Sequence, residues 1–274
     1  MISTLRLLSI WLRGGIPSLS RYEAKNARKA EKALKKSSQA AAKVAWDLVF
    51  DADFAASSPT LDTKNWILAR RKSGLEGLYG QFDQYDVPLE ENVIVNEQGL
   101  CLKACPADAQ GLQWHKDYGF MPVQAEYGGA YVAARHDLSS KKGRIVCRIR
   151  WEESDDFLLS AALESKAQLP MIQFFTLSRY WQFGFQNKHF KKMVCLPKSL
   201  LKEGELYEFE LAWAGSTIRW RVNGMEVLRV YKKLPKGMYF SAGVSLCRKI
   251  QAIRTCTLCF EQFRVYARHT HRNA

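Results

Sequence analysis

The sequence predicts an all-β sandwich preceded by a helical N-terminal extension, and three observations carry that expectation. From about residue 46 onward, short runs alternate apolar and polar residues with period two, broken by Gly, Pro, Asp and Asn. Asn223-Gly224 stands between two such runs, Ile218–Val222 and Glu226–Val230, where a two-residue hairpin turn favours those residue types. Residues 21–45, by contrast, contain no Gly or Pro and are rich in Ala and Lys, a helical composition. Many short strands with few helices point to packed antiparallel sheets.

Taken in order, the chain opens with Met1 to Leu12, where Ile2, Leu5, Leu8 and Leu12 form one stripe of an amphipathic helix. Arg6 and Arg13 keep the apolar run short, and no small-x-small cleavage site follows it. This segment therefore predicts neither a signal peptide nor a transmembrane segment. Ser20-Arg21-Tyr22-Glu23 has capping-box spacing at the start of the second helix. Residues 1–45 hold ten lysines and arginines against Glu23 and Glu31, so +8 of the net charge of +14 is located there. With almost no aromatic side chains, this basic segment does not suit specific nucleic-acid recognition. It reads as a solvated tether or as the contact for a protein assembly partner. The domain reading is a basic, helical extension at 1–45, a β-sandwich at 46–268 and a basic tail at 269–274.

Seven cysteines occur in no tight framework, mostly in apolar strand-like runs where a thiol acts as a small hydrophobe. That usage suggests synthesis and folding in a reducing compartment. Cys256 and Cys259 have redox or zinc spacing, but an offset of three within a strand puts them on opposite faces. His115, His136 and His189 are scattered, so no metal site and no cofactor are expected.

Several runs resemble, in order, the motifs of glycoside hydrolase family 16. Phe50-Asp51-Ala52-Asp53-Phe54, then Leu61-Asp62 and Trp66, resembles the family's opening strand. Asn92-Val93-Ile94-Val95 with Gly99-Leu100-Cys101-Leu102 is similar to its N-V-x-V-x-x-G-x-L-x-L hairpin, and Tyr127-Gly128-Gly129-Ala130-Tyr131 to the next strand entry. Gly143 to Arg150 resembles Y-G-R-F-E-A-R-I-K, with Val146 in place of the glutamate. Tyr207 to Trp213, Ile218 to Gly224 and Phe260 to Tyr266 complete the series. The resemblance implies a concanavalin A-like jelly-roll β-sandwich of two antiparallel sheets, with a sugar-binding cleft on the concave one.

It also locates the chemistry. The family's catalytic strand reads E-x-D-x-x-E or E-x-D-x-E, with nucleophile, helper and acid/base on one face, the longer form using a bulge to restore phase. Pro170-Met171-Ile172-Gln173-Phe174-Phe175-Thr176 occupies that place, so Met171, Gln173 and Thr176 stand where the three carboxylates belong. None can supply a carboxylate nucleophile or an acid titrating near neutrality. The remaining acids are the cluster Glu152, Glu153, Asp155 and Asp156 and a single carboxyl, Glu164, in a predicted loop.

The expected partner is thus a polysaccharide or other glycan. Gln173 would bond sugar hydroxyls, while Trp181, Trp151, Trp114 and Tyr180 are candidates for stacking on sugar faces. Arg148 and Arg150, with Arg144 on one strand face, would suit an anionic polymer if that face lines the cleft. Three functions remain open at this level: a catalytically degenerate carbohydrate binder, a structural or assembly protein using the jelly roll as scaffold, and a glycosidase with displaced acids.

Overall fold

The computed structural model describes residues 46–54, 61–68, 85–115, 119–135, 138, 142–152, 155–165, 171–248 and 253–267. The predicted helices within residues 1–45 and the tail at 269–274 lie outside the described residues. Among the described residues no helix is long and apolar enough to cross a membrane.

The described chain forms strands β1 (Asp47–Asp53), β2 (Trp66–Leu68), β3 (Val87–Pro88), β4 (Val93–Asn96), β5 (Gly99–His115) and β6 (Gly119–Ala134). These are followed by β7 (Lys142–Glu152), β8 (Phe157–Glu164), β9 (Met171–Leu177), β10 (Tyr180–Gln186) and β11 (Lys191–Pro197). The last five are β12 (Tyr207–Ala214), β13 (Thr217–Val222), β14 (Met225–Val230), β15 (Tyr239–Leu246) and β16 (Cys256–Ala267). The alternating runs become strands because each places one set of side chains inward and the other outward. Asn223 and Gly224 turn the β13–β14 hairpin with φ of 47° and 76°, both in the left-handed region that a type I′ turn needs.

The two expected sheets are joined into one hydrogen-bonded path, β11-β10-β9-β8-β15-β6-β5-β16-β7-β12-β13-β14. The join comes from the length of β5 and β6. The first part of β5 pairs with β4 and β16 and its second part with β6, whose own far end pairs with β15 and β2. Register slips between Pro106 and Ala109, where a proline without an N–H fits a bulge. On the other side Lys192 Nζ donates to the Arg229 carbonyl at 3.0 Å, bringing β11 beside β14. The result is a nearly closed antiparallel sandwich consistent with a jelly roll. Only the short β3 pairs in parallel among the described strands.

The core lies between a layer centred on β9 and a layer centred on β12. Phe175 of β9 and Trp181 of β10 meet Phe209 of β12 at ring separations of 5.0 and 5.5 Å, and Phe240 of β15 meets Phe263 of β16 at 4.5 Å. These rings are all buried. Burial of this much aromatic surface is the main favourable term holding the layers together.

One expectation is overturned. Cys101 and Cys259, directly opposite in the β5–β16 pairing, form a disulfide. That bond implies an oxidising folding environment rather than a reducing one. The reading from cysteine spacing failed because the two partners are separated by 158 positions and meet only through strand register. Cys256, on the opposite face of β16, is buried and takes no part in that disulfide.

Candidate functional site

Strand β9 carries the site. Its pairing slips in register against both neighbours, between Ala161 and Ala162 on β8 and between Gln182 and Gly184 on β10. The extra residue restores phase, so Met171, Gln173 and Thr176 all point away from the core while Ile172, Phe174, Phe175 and Leu177 are buried. Gln173 Nε2 donates to Thr176 Oγ1 at 3.0 Å, which fixes both side chains on one face. From the opposite side, the indole Nε1 of Trp220 in β13 donates to the Gln173 carbonyl at 2.9 Å. A buried indole thus finds its acceptor on the backbone of the bulged strand.

Strand register assigns the neighbours of these groups. Gln173 lies between Ala162 and Gly184, and Thr176 between Ser160 and Gln182. Ala162 and Gly184 leave a low floor around the Gln173 amide. A Cβ on Gly184 would stand 2.7 Å from Cγ of Met193, so the Met193 side chain already covers that glycine. Gln186 is opposite Met171, and Tyr180, 54% exposed, begins the same face of β10. Thr176, Gln173 and Gln182 are half-buried.

Across β8 the character changes. Glu164 is the last residue of β8, within a strand rather than the predicted loop, and only 1% exposed. Its carboxyl contacts Tyr131 OH at 3.3 Å, Tyr239 OH at 3.3 Å and Ser241 Oγ. Burial pushes its pKa up to about 7, against the opposing pull of these hydroxyls. Tyr131 and Ala133 form a small second core on this face, with Ile67 and Tyr239 packed against it. Asp86 sits further along β15, accepting from Ser245 Oγ at 3.0 Å and from the Leu246 amide at 2.7 Å.

The remaining predicted residues are dispersed. Trp151 and Trp181 face the inter-layer core, 1% and 0% exposed, in an edge-to-face pair at 4.8 Å, so neither offers a stacking surface. Both fall at inward positions of their strands. Trp114 lies in β5, and its side chain is outside the described residues. Arg148 and Arg150 project from β7, on the outer face of the other layer; Arg148 pairs with Glu261 at 3.4 Å and Arg144 with Glu210 at 3.7 Å. Of the acid cluster after β7, Asp155 pairs with Lys198 and Asp156 with Arg248 and Arg254, while Glu153 lies outside the described residues. Lys198 beside Asp155 holds that carboxyl below its usual range. The structure therefore unites Met171, Gln173, Thr176 and Tyr180 and separates them from both tryptophans and the arginines. The Glu164 cluster was not legible as a unit, since its partners lie 33, 75 and 77 positions away.

This nearly closed antiparallel sandwich, consistent with a jelly roll, is similar in fold to solved glucanase structures, one of them a family GH16 endo-β-1,3(4)-glucanase. Among solved structures it is similar to the laminarinase catalytic domain of Thermotoga maritima, at 14% identity and a TM-score of 0.65, covering 82% of this chain and 99% of that one. It is also similar to the endo-β-1,3-glucanase of Pyrococcus furiosus (12% identity, TM-score 0.62, 82% and 95% covered). A third likeness is to porphyranase B of Zobellia galactanivorans (12% identity, TM-score 0.60, 81% and 92% covered). Likeness at such identities is a likeness of fold. No protein-family model and no curated protein matches the sequence.

Proposed function

We propose that this chain binds carbohydrate on the outer face of β9 and β10 and has lost the hydrolytic chemistry associated with that face. The observation that carries the reading is the pairing of Gln173 with Thr176 on a bulged strand, at the positions where the resemblance places helper and acid/base carboxylates. An amide and a hydroxyl donate to and accept from sugar hydroxyls, but neither can act as a carboxylate nucleophile. Tyr180 supplies an exposed ring at one end for the apolar face of a pyranose.

The other acids of this layer do not support a relocated reaction. A retaining glycosidase holds two carboxyls about 5–5.5 Å apart, and an inverting one about 6.5–9.5 Å apart. Glu164 bonds to Ser241 and Asp86 to Ser245, four residues further along β15, a separation of roughly 13 Å at strand rise. Both acids are buried. The strip itself offers Gln173, Gln182, Gln186 and Thr176, all uncharged, whereas Arg144 and Arg148 are paired on the other layer. These side chains favour a neutral glycan over the anionic one suggested by the arginines, with the exposed Lys191 of β11 standing opposite Gln186 at one end of the strip.

Affinity electrophoresis in neutral laminarin-type and sulfated carrageenan-type polysaccharide tests the reading. Retardation in the neutral gel, without release of reducing ends on long incubation, is the expected result. Release of reducing ends would contradict the loss of chemistry, and migration unaffected by either polymer would contradict binding.

A further inference from the structure

The Glu164 cluster is built as more than a plug. Its carboxyl gathers hydroxyls from three places in the layer: Tyr131 on β6, and Tyr239 and Ser241 on β15. The groups facing it from the packed elements are these three hydroxyls, Ala133 and Ile67 with the tyrosines, and Met171, the next position beyond the Leu163–Ile172 pair of β8 and β9; Arg135, just past β6, donates instead to the Thr63 carbonyl, and among the described residues no cation or second acid joins the cluster. The cluster also shares β8 with Ser160 and Ala162, which flank Thr176 and Gln173.

We propose that Glu164, Tyr131, Tyr239 and Ser241 form a proton-operated clamp that holds β6, β15 and β8 in register and so regulates glycan binding on the adjoining β9–β10 strip. This rests on the carbohydrate reading given above. In the neutral state the acid O–H donates to Ser241 Oγ while the other carboxyl oxygen accepts from both tyrosines. Loss of the proton to solvent leaves a carboxylate that the three hydroxyls can still solvate, the Ser241 hydroxyl reversing its role, but with no cation among the described residues in contact with it to offset the charge. Burial penalises that charged form, which is also why the group holds its proton up to about neutrality. Above that range the clamp loosens, and the edge of the binding strip carried by β8 loosens with it.

The test follows hydrogen exchange of the β8 and β15 amides, corrected for intrinsic rate, at about pH 6 and about pH 9 in the full chain and in Glu164→Gln, with laminarin as the binding probe. Wild-type β8 and β15 should lose roughly tenfold in protection at the higher pH relative to β12, and laminarin affinity should fall roughly threefold or more. Both changes should vanish in Glu164→Gln. Equal protection at the two pH values in the wild type, or a loss that persists in Glu164→Gln, overturns the clamp. Should Glu164→Gln not fold, the infrared carbonyl band of a protonated carboxylic acid in the wild type decides: present at the lower pH and gone at the higher supports the proposal, absent at both overturns it. Exchange is read without the probe, so failure of laminarin to bind at either pH counts against the carbohydrate reading and leaves the clamp to be judged on protection alone.

Discussion

On the outer face of the β9 layer, β6, β15 and β8 present Tyr131, Ser241 and Glu164 at 5% exposure or less, whereas β9 and β10 present Gln173 and Thr176 half-buried and Tyr180 exposed. Both halves have the same core behind them and the same register rows running through them. Long hydroxyl-tipped rings converge on one acid in the first half, while in the second the Gln173 amide lies between Ala162 and Gly184, with Thr176 beside it and Met193 over the glycine. Side-chain length, rather than backbone, separates a filled surface from a half-open one.

The largest change should come from beneath both halves. Trp181→Ala removes a fully buried ring in contact with Trp151, Phe175 and Phe209, so urea unfolding should show a loss of about 3–5 kcal/mol. A loss under about 1 kcal/mol would mean that Trp181 belongs to the open half instead.

The buried half should then reveal itself through pH. Glu164 has its folded pKa raised from 4.5 to about 7, so the folded state holds this proton more tightly than the unfolded chain. Its contribution is complete below the unfolded value and is lost as pH rises through about 7, for a change of about 3 kcal/mol. Denaturant melts of wild type against Glu164→Gln should show this slope in the wild type alone; parallel profiles would remove the distinction between the halves.

A smaller effect is expected where the open half meets the core. Trp220→Phe keeps most of the buried ring but deletes the donor to the Gln173 carbonyl, at a cost of about 1–2 kcal/mol. If that bond also steadies the bulge, polysaccharide retardation should weaken in the same variant. The smallest effect belongs to the other layer: Arg148→Ala breaks an exposed ion pair with Glu261 and should change stability by less than about 1 kcal/mol, with retardation unchanged. Loss of binding there would restore the arginine face as a ligand surface.

Sequence alone carried the strand alternation and the Asn223-Gly224 turn, because each is a local pattern, whereas the face shared by Met171, Gln173 and Thr176 came from the family resemblance, since plain alternation would turn Thr176 the other way. The same period-two rule already implied that Trp151 and Trp181 alternate with outward residues, yet it could not say which face was the core. Contacts set by register stayed hidden: the Cys101–Cys259 disulfide, the hydroxyls around Glu164 and the Trp220 donor all join residues on strands distant in sequence. Glu164 looked like a loop acid because its carboxylate resembles a strand end, and only the hydroxyls assembled around it make burial tolerable.

On the proposed reading, the Gln173–Thr176 strip binds neutral carbohydrate without cleaving it. Its most direct test is affinity electrophoresis of wild type and Gln173→Ala in laminarin-type polysaccharide, with stability measured alongside. Binding through this strip predicts retardation of the wild type and roughly tenfold weaker binding by Gln173→Ala, about 1.4 kcal/mol, at nearly unchanged stability. Equal retardation of the two proteins, or none of the wild type, would contradict it.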